Sequence, residues 1–178
     1  MKSKTQFSIL FLLLSISLSW GQEAKISPDT KVIFEEVKKD VWIPFLESYR
    51  DLDINQMLSI QDPNMTRVSI DRNAVRTAES YFENLKKFFN NMKAAGYKMK
   101  IEFSIISTAV SEDKVYQRGY YSVNIKAKDA EDYRSTGYSQ FTVLLIKQNG
   151  KWKISLDADR KVDITKEDFE KKGVVLRL

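Results

Sequence analysis

The chain has 178 residues, 43% of them apolar and 30% charged, with 29 Lys and Arg against 24 Asp and Glu. That length suits one domain with a real core, and the charges interleave in runs such as EEVKKD and KEDFEKK, which read as solvated faces and argue against a nucleic-acid stripe. Neither Cys nor His occurs, which excludes disulfide staples, the usual zinc sites and Ser-His-Asp or Cys-His nucleophiles in their ordinary forms; no metal and no cofactor are expected.

Residues 1–21 have the layout of a secretory signal peptide. Lys2 and Lys4 form a basic start, residues 7–18 are apolar apart from serines, and the small residues Ser19 and Gly21 precede a cleavage site before Gln22. The apolar stretch is well short of the roughly 20 residues that span a bilayer. The mature chain is therefore expected to be exported, periplasmic or secreted, with no membrane association after signal removal. No cysteine is present to carry a lipid. Cleavage removes two lysines and no acid, leaving a net charge of +3. Residues 22–29 read as a disordered lead, 30–160 as the domain, and 161–178 as a short helix and tail.

Ser27-Pro28 has the form of an N-cap followed by Pro at the first helical position. Ile33, Val37, Val41, Phe45 and Tyr49 then recur every fourth residue, one apolar stripe on a helix to about residue 50. Pro44 removes the bond to the carbonyl of Asp40 and predicts a kink or a split, with Trp42 and Phe45 beside it plugging the open end of a cone. Asp53 caps a second short helix over 53–60. Asp62-Pro63-Asn64 reads as a turn and 65–70 as a short strand bearing Arg67. A third helix over 77–95 carries Tyr81, Leu85, Phe88, Phe89 and Met92 on one face, with Gly96 as its stop. Trp42, Trp152, Phe88 and Phe89 read as core.

After Gly96 the period changes to two. Met99, Ile101, Phe103 and Ile105, then Val115, Gly119, Tyr121, Val123 and Ile125, then Phe141, Val143 and Leu145, then Trp152, Ile154 and Leu156 form the apolar sides of four strands. Asn149-Gly150 between the last two is a two-residue hairpin signal. Helices first and strands later predict an α+β fold: N-terminal helices packed on a curved antiparallel sheet that forms a cone, a cystatin-like roll. Thr165 and Asp168 resemble a capping box before a short helix, and 174–178 read as an apolar tail docked on the body or on a partner.

Three helices followed by a four-stranded sheet ending in GKWKI resemble the nuclear transport factor 2-like superfamily, including its SnoaL-like branch and exported bacterial members grouped under a domain of unknown function. VWIPFLESYRDLDINQML (41–58), VYQRGYYSV (115–123) and FTVLLIKQNGKWKISLDAD (141–159) carry the resemblance. It implies a conical apolar pocket. SnoaL-type polyketide cyclases use acid–base groups that include His, which this chain lacks. Ketosteroid isomerase, a distant relative of the fold, pairs an Asp base with Tyr and a protonated Asp. Epoxide hydrolases of the fold use an Asp-Arg-Asp relay, for which Asp71-Arg72 is a poor match because strand neighbours face opposite ways.

The ligand-binding candidates are Tyr49, Arg67, Tyr81, Phe103, Tyr121 and Phe141. Arg67, if it faces inward, needs a carboxylate, with Asp71 or Glu102 as ordinary partners. Asp157 and Asp159 share a strand face opposite to Leu156, where holding a Lys, an Arg or a turn amide is commoner than binding a metal. Tyr116, Arg118, Tyr120 and Tyr138 form an aromatic–cationic wall on the other sheet face, an alternative interface of a homodimer. The leading expectation is an exported, non-catalytic domain that binds a small apolar or anionic ligand in a pocket without a poised carboxylate. The alternatives are a small isomerase or hydrolase using Asp or Glu with Tyr hydroxyls, and an accessory or protein-interaction domain.

Overall fold

The structure, a computed structural model, describes residues 28–178. The expected signal segment, Ser27 and most of the expected lead lie outside the described residues, and the first helix already begins at Pro28.

Helix α1 (Pro28–Val37) runs through a π-helical turn (Lys38–Trp42) into α2 (Ile43–Asp51). The turn is the chain's answer to Pro44. The Ile43 N–H reaches back to Lys38 O, and α2 restarts with Pro44 in its first turn, where no N–H is required. The wider turn brings Val41 and Trp42 to the core together. Helix α3 (Ile54–Ser59) is capped by the Asp53 carboxylate, which accepts from the N–H groups of Asn55 and Gln56. Helix α4 (Ala78–Ala94) buries Leu85 and Phe89. Phe88 is 38% exposed, so the expectation that it belongs to the core fails: it faces the rim of a surface depression.

The seven strands are β1 (Gln61–Ser69), β2 (Ala74–Thr77), β3 (Lys98–Val110), β4 (Lys114–Lys126), β5 (Arg134–Gln148), β6 (Lys151–Val162) and β7 (Val174–Leu176), ordered β2-β1-β6-β5-β4-β3-β7. The predicted meander is β3 to β6. Its Asn149-Gly150 turn has both residues at positive φ (51° and 77°), the conformation that matches the twist of a tight hairpin. The sheet is mixed, however, and not wholly antiparallel: β1 lies parallel to β6, and this contact between residues some ninety positions apart has no local signature. Residues 62–64, expected as a turn, instead form the irregular start of β1, where the register with β6 shifts between Gln61 and Thr66. The expected short strand at 65–70 corresponds to the later part of β1; β2, which pairs with it as a hairpin, is an addition. A 3-10 turn at Ile70–Arg72 and Asn73 at φ 49° close it.

The helices cover one face of the sheet, burying Trp42, Phe89, Met99, Leu145, Trp152 and Ile154 to within 1% exposure. Gly119 sits where the sheet leaves no room for a side chain: a Cβ there would collide with Ser104 O and sit 2.9 Å from Phe141 Cε1. On the opposite face, helix α5 (Lys166–Lys171) starts with a reciprocal capping box between Thr165 and Asp168, and after it β7 joins the edge of the sheet beside β3. Phe169 of α5 is buried against Tyr138, ring centroids 5.2 Å apart. The C-terminal segment thus docks on the body of its own chain.

Candidate functional site

The site depends on one extra residue in β6. Leu145 pairs with Ile154 and Leu144 with Leu156, so Ser155 is unmatched: a β-bulge, with the Ser155 hydroxyl donating to Leu144 O at 3.2 Å. A strand alternates with period two, so one inserted residue reverses the facing of everything beyond it. Up to Ile154 the even residues point to the helices. From Asp157 onward the odd residues do, and Asp157 and Asp159 stand opposite the inward-facing Val143 and Phe141. The expectation that Leu156 faces the core with the aspartates outside is therefore reversed.

Strand β1 supplies the partner. Arg67 stands beside Asp157 in the parallel pairing, and Ser69 beside Asp159. The guanidinium donates to Asp159 Oδ2 at 2.5 Å, to Val68 O at 2.6 Å and to Asp157 O at 3.2 Å, and its Nε lies 3.6 Å from Asp157 Oδ2. The Tyr121 hydroxyl, from β4, donates to the same Asp159 Oδ2 at 2.6 Å. Arg67 does not pair with Asp71 or Glu102: Asp71 accepts from the backbone N–H of Lys161 at 2.6 Å instead. All three charged side chains are 14–17% exposed, so this is a desolvated Asp–Arg–Asp cluster and not a surface ion pair.

The cluster lies at the throat of a cavity of about 110 Å³. Its inner wall is aromatic and aliphatic: Trp42, Phe45, Ile101, Phe103, Phe141 and Val143. Trp42 packs with Phe103 (4.7 Å between centroids) and Phe141 (5.5 Å), and its indole N–H donates to Gln117 Oε1 at 2.8 Å, which locks the ring. Trp42 and Phe45 are thus part of the inner wall and do not plug the mouth, because the π-helical turn holds them deep. Tyr49, Arg67, Tyr81, Tyr121 and Asp159 are shared with a wider depression of about 580 Å³ on the surface. They form the passage between outside and inside.

Burial pushes the Tyr49 hydroxyl up to about 12, and raises Tyr81 and Tyr121 as well, helped in each case by a nearby aspartate. All three remain proton donors at any physiological pH. Burial likewise raises the Asp157 carboxyl from the usual 3.8 to about 6; Arg67 opposes the shift and Asp159 adds to it. Burial works against the charge on Arg67, but Asp157 and Asp159 outweigh it and hold the guanidinium ionised. Among the described residues, nothing donates a hydrogen bond to the Asp157 carboxylate, and the Tyr49 and Tyr81 hydroxyls have no hydrogen-bonding partner.

All six candidates read from the sequence, Tyr49, Arg67, Tyr81, Phe103, Tyr121 and Phe141, line this one cavity. Its carboxylates are the departure from expectation: the sequence points to a pocket free of a poised carboxylate, and the bulge at Ser155 turns two inward. Their signal in the sequence is a pair of aspartates two residues apart in an apolar strand, together with an arginine that needs a partner. On the other sheet face Tyr116, Arg118 and Tyr120 lie in rows with Leu144, Thr142 and Gln140 of β5. Tyr138 lies on the same face, and Phe169 packs against its ring. Among the described residues no group of three or more Asp or Glu is arranged to hold a metal ion, and no helix is long and apolar enough to cross a membrane.

No family model matches the sequence, and no curated protein matches it significantly. Solved structures do match. Aln2 from a Streptomyces species superposes with a TM-score of 0.64 at 12% identity, over 76% of this chain and 92% of that one. A nuclear transport factor 2-like superfamily protein from Salmonella enterica serovar Typhimurium gives 0.58 at 12% identity, over 76% and 95%. A protein of unknown function with a cystatin-like fold from Nostoc punctiforme gives 0.52 at 16% identity, over 80% and 98%. The chain has the nuclear transport factor 2-like, cystatin-like α+β fold. At these identities the likeness is one of fold, and the chemistry rests on the site.

Proposed function

We propose that the cavity takes the ring-sized apolar part of a small molecule and that Asp157 and Asp159 perform acid–base chemistry on a polar atom held at the throat. The observation that carries this reading is the Asp157–Arg67–Asp159 cluster at the end of an aromatic cavity. Its two carboxylates have different surroundings, the condition under which one serves as acid and the other as base. Asp159 is held by Arg67 and Tyr121 through Oδ2, leaving Oδ1 open to a water; Asp157 accepts no hydrogen bond and keeps its proton to about pH 6.

The reaction this pair fits is hydrolytic opening of a strained cyclic ether. Protonated Asp157 gives its proton to the ether oxygen as the C–O bond breaks. A water forms the new C–O bond and passes a proton to Asp159. The product is a diol, and proton exchange with solvent resets the carboxyls. Tyr49 and Tyr81 line the cavity with Asp157, and their hydroxyls, which burial keeps protonated, donate to the same oxygen in this reading. The volume, somewhat below the roughly 150 Å³ of a cavity that takes one benzene ring, sets the size of the buried part, with the rest of the ligand in the throat.

Styrene oxide is a suitable probe. The expected result is diol formation above the buffer rate, lost by about a hundredfold or more in Asp157→Asn and in Asp159→Asn. A specific observation favours a second reading, a non-catalytic receptor: Arg67 is engaged within the protein and needs no substrate group as its partner. Binding of ring-sized probes without turnover would select that reading. Absence of binding, with Val123→Phe making no difference, would remove both.

A further inference from the structure

The surface depression outside the throat carries charge that the cluster does not use. Its lining includes Arg72, Arg76 and Lys161, with Ser69, Asn84 and Ser139 between them and the apolar side chains of Leu85 and Phe88 along one side. Arg67 and Asp159 also line it, but they neutralise each other. Asp71 is the remaining carboxylate, and it accepts from the Lys161 backbone N–H. Among the described residues Arg72, Arg76 and Lys161 have no ion-pair partner.

Arg76 is the most telling of these. In the β1–β2 hairpin it stands directly across from Arg67, and Arg67 stands beside Asp157. Like charges directly opposite on neighbouring strands are destabilising. Both acidic side chains of the cluster serve Arg67, which leaves the cation at Arg76 uncompensated although it is only partly exposed. Such an arrangement favours an anion in the depression that Arg76 lines together with Arg72 and Lys161.

We propose that this depression is a subsite for the anionic end of an amphipathic ligand: a small monocarboxylic acid whose ring enters the cavity and whose carboxylate lies at the mouth on Arg76, Arg72 and Lys161. The inference rests on the reading that the cavity receives the apolar part of a ligand, and adds the ligand's charge and orientation. An anion is turned away from the interior, where Asp157 and Asp159 already satisfy Arg67, the one cation among the described residues that lines the cavity, and is taken at the mouth, where three cations face a single carboxylate. The ligand therefore enters ring first.

The test compares two probes of the same shape, 3-phenylpropionate and 3-phenylpropanamide, by calorimetric titration of the whole protein at about pH 7.5, where Asp157 is ionised. The acid is expected to bind about tenfold more tightly than the amide at low salt, with the advantage shrinking at high salt. The triple variant Arg72→Gln, Arg76→Gln, Lys161→Gln is expected to lower the affinity for the acid to that of the amide. A thermal melt checks that this variant is folded, and the salt dependence of the unmodified protein gives the same information without a substitution. Equal binding of acid and amide, or an advantage that survives both high salt and the triple variant, overturns the anionic subsite while leaving the cavity reading intact. Failure of both probes to bind overturns the cavity reading and the subsite with it.

Discussion

Replacing Asp157 by Asn should make the protein more stable at neutral pH while removing its acid–base chemistry. The Asp157 carboxyl moves from 3.8 to about 6 on folding, so holding it ionised inside the fold costs about 3 kcal/mol. The shift already includes the opposing pull of Arg67, so it is a net quantity. Because the native carboxyl keeps its proton to higher pH than the unfolded one, the native state binds more protons between about pH 4 and 6. The unfolding free energy therefore falls as pH rises through that window and is level above it. Asn has the shape of the protonated acid and never ionises. Urea denaturation at about pH 4 should find Asp157→Asn and the unmodified protein similar, and at about pH 7.5 the variant should be more stable by about 2–3 kcal/mol, or roughly 4–12 °C in melting temperature. A variant less stable at neutral pH, or a fall in stability across the window that survives in Asp157→Asn, would refute the reasoning. Gain of stability on removing a group is a mark of a residue kept for function.

Trp42→Phe should cost about 1–3 kcal/mol in urea denaturation, because it leaves buried Gln117 Oε1 without its donor. Gly119→Ala should destabilise by about 3 kcal/mol or more by the same measure, since the new methyl would collide with the Ser104 carbonyl and the Phe141 ring and neither can retreat from the packed sheet. Removing residues 174–178 uncovers the edge of β3 and the groove under Leu176. Size-exclusion chromatography should then show concentration-dependent association of the shortened chain; a monodisperse profile identical to that of the full chain would refute the edge-covering role.

Periodicity carries most of the architecture. The stripe Ile33, Val37, Val41, Phe45 and Tyr49, and the alternation in 99–105, 115–125 and 141–145, are properties of neighbouring residues, and each lies where its period puts it. Arg67 can be flagged because an inward charge in an apolar strand demands a partner. The partner itself cannot be read, because it is supplied by a parallel contact between β1 and β6, and sequence distance says nothing about which strands become neighbours. Phe88 departs from its expected place for a related reason: the apolar stripe of α4 is wider than the surface it packs on, and only the packed molecule shows which side chain is left at the rim.

The amino-acid order determined that helices would lie on one face of a twisted sheet with an aromatic interior, since that follows from the apolar periods of individual segments. Only the tertiary structure decided that the interior would end in two carboxylates around a guanidinium. A β-bulge is set by how two strands are matched, not by the composition of either, and one unmatched residue at Ser155 turned Asp157 and Asp159 from the outer face to the inner one.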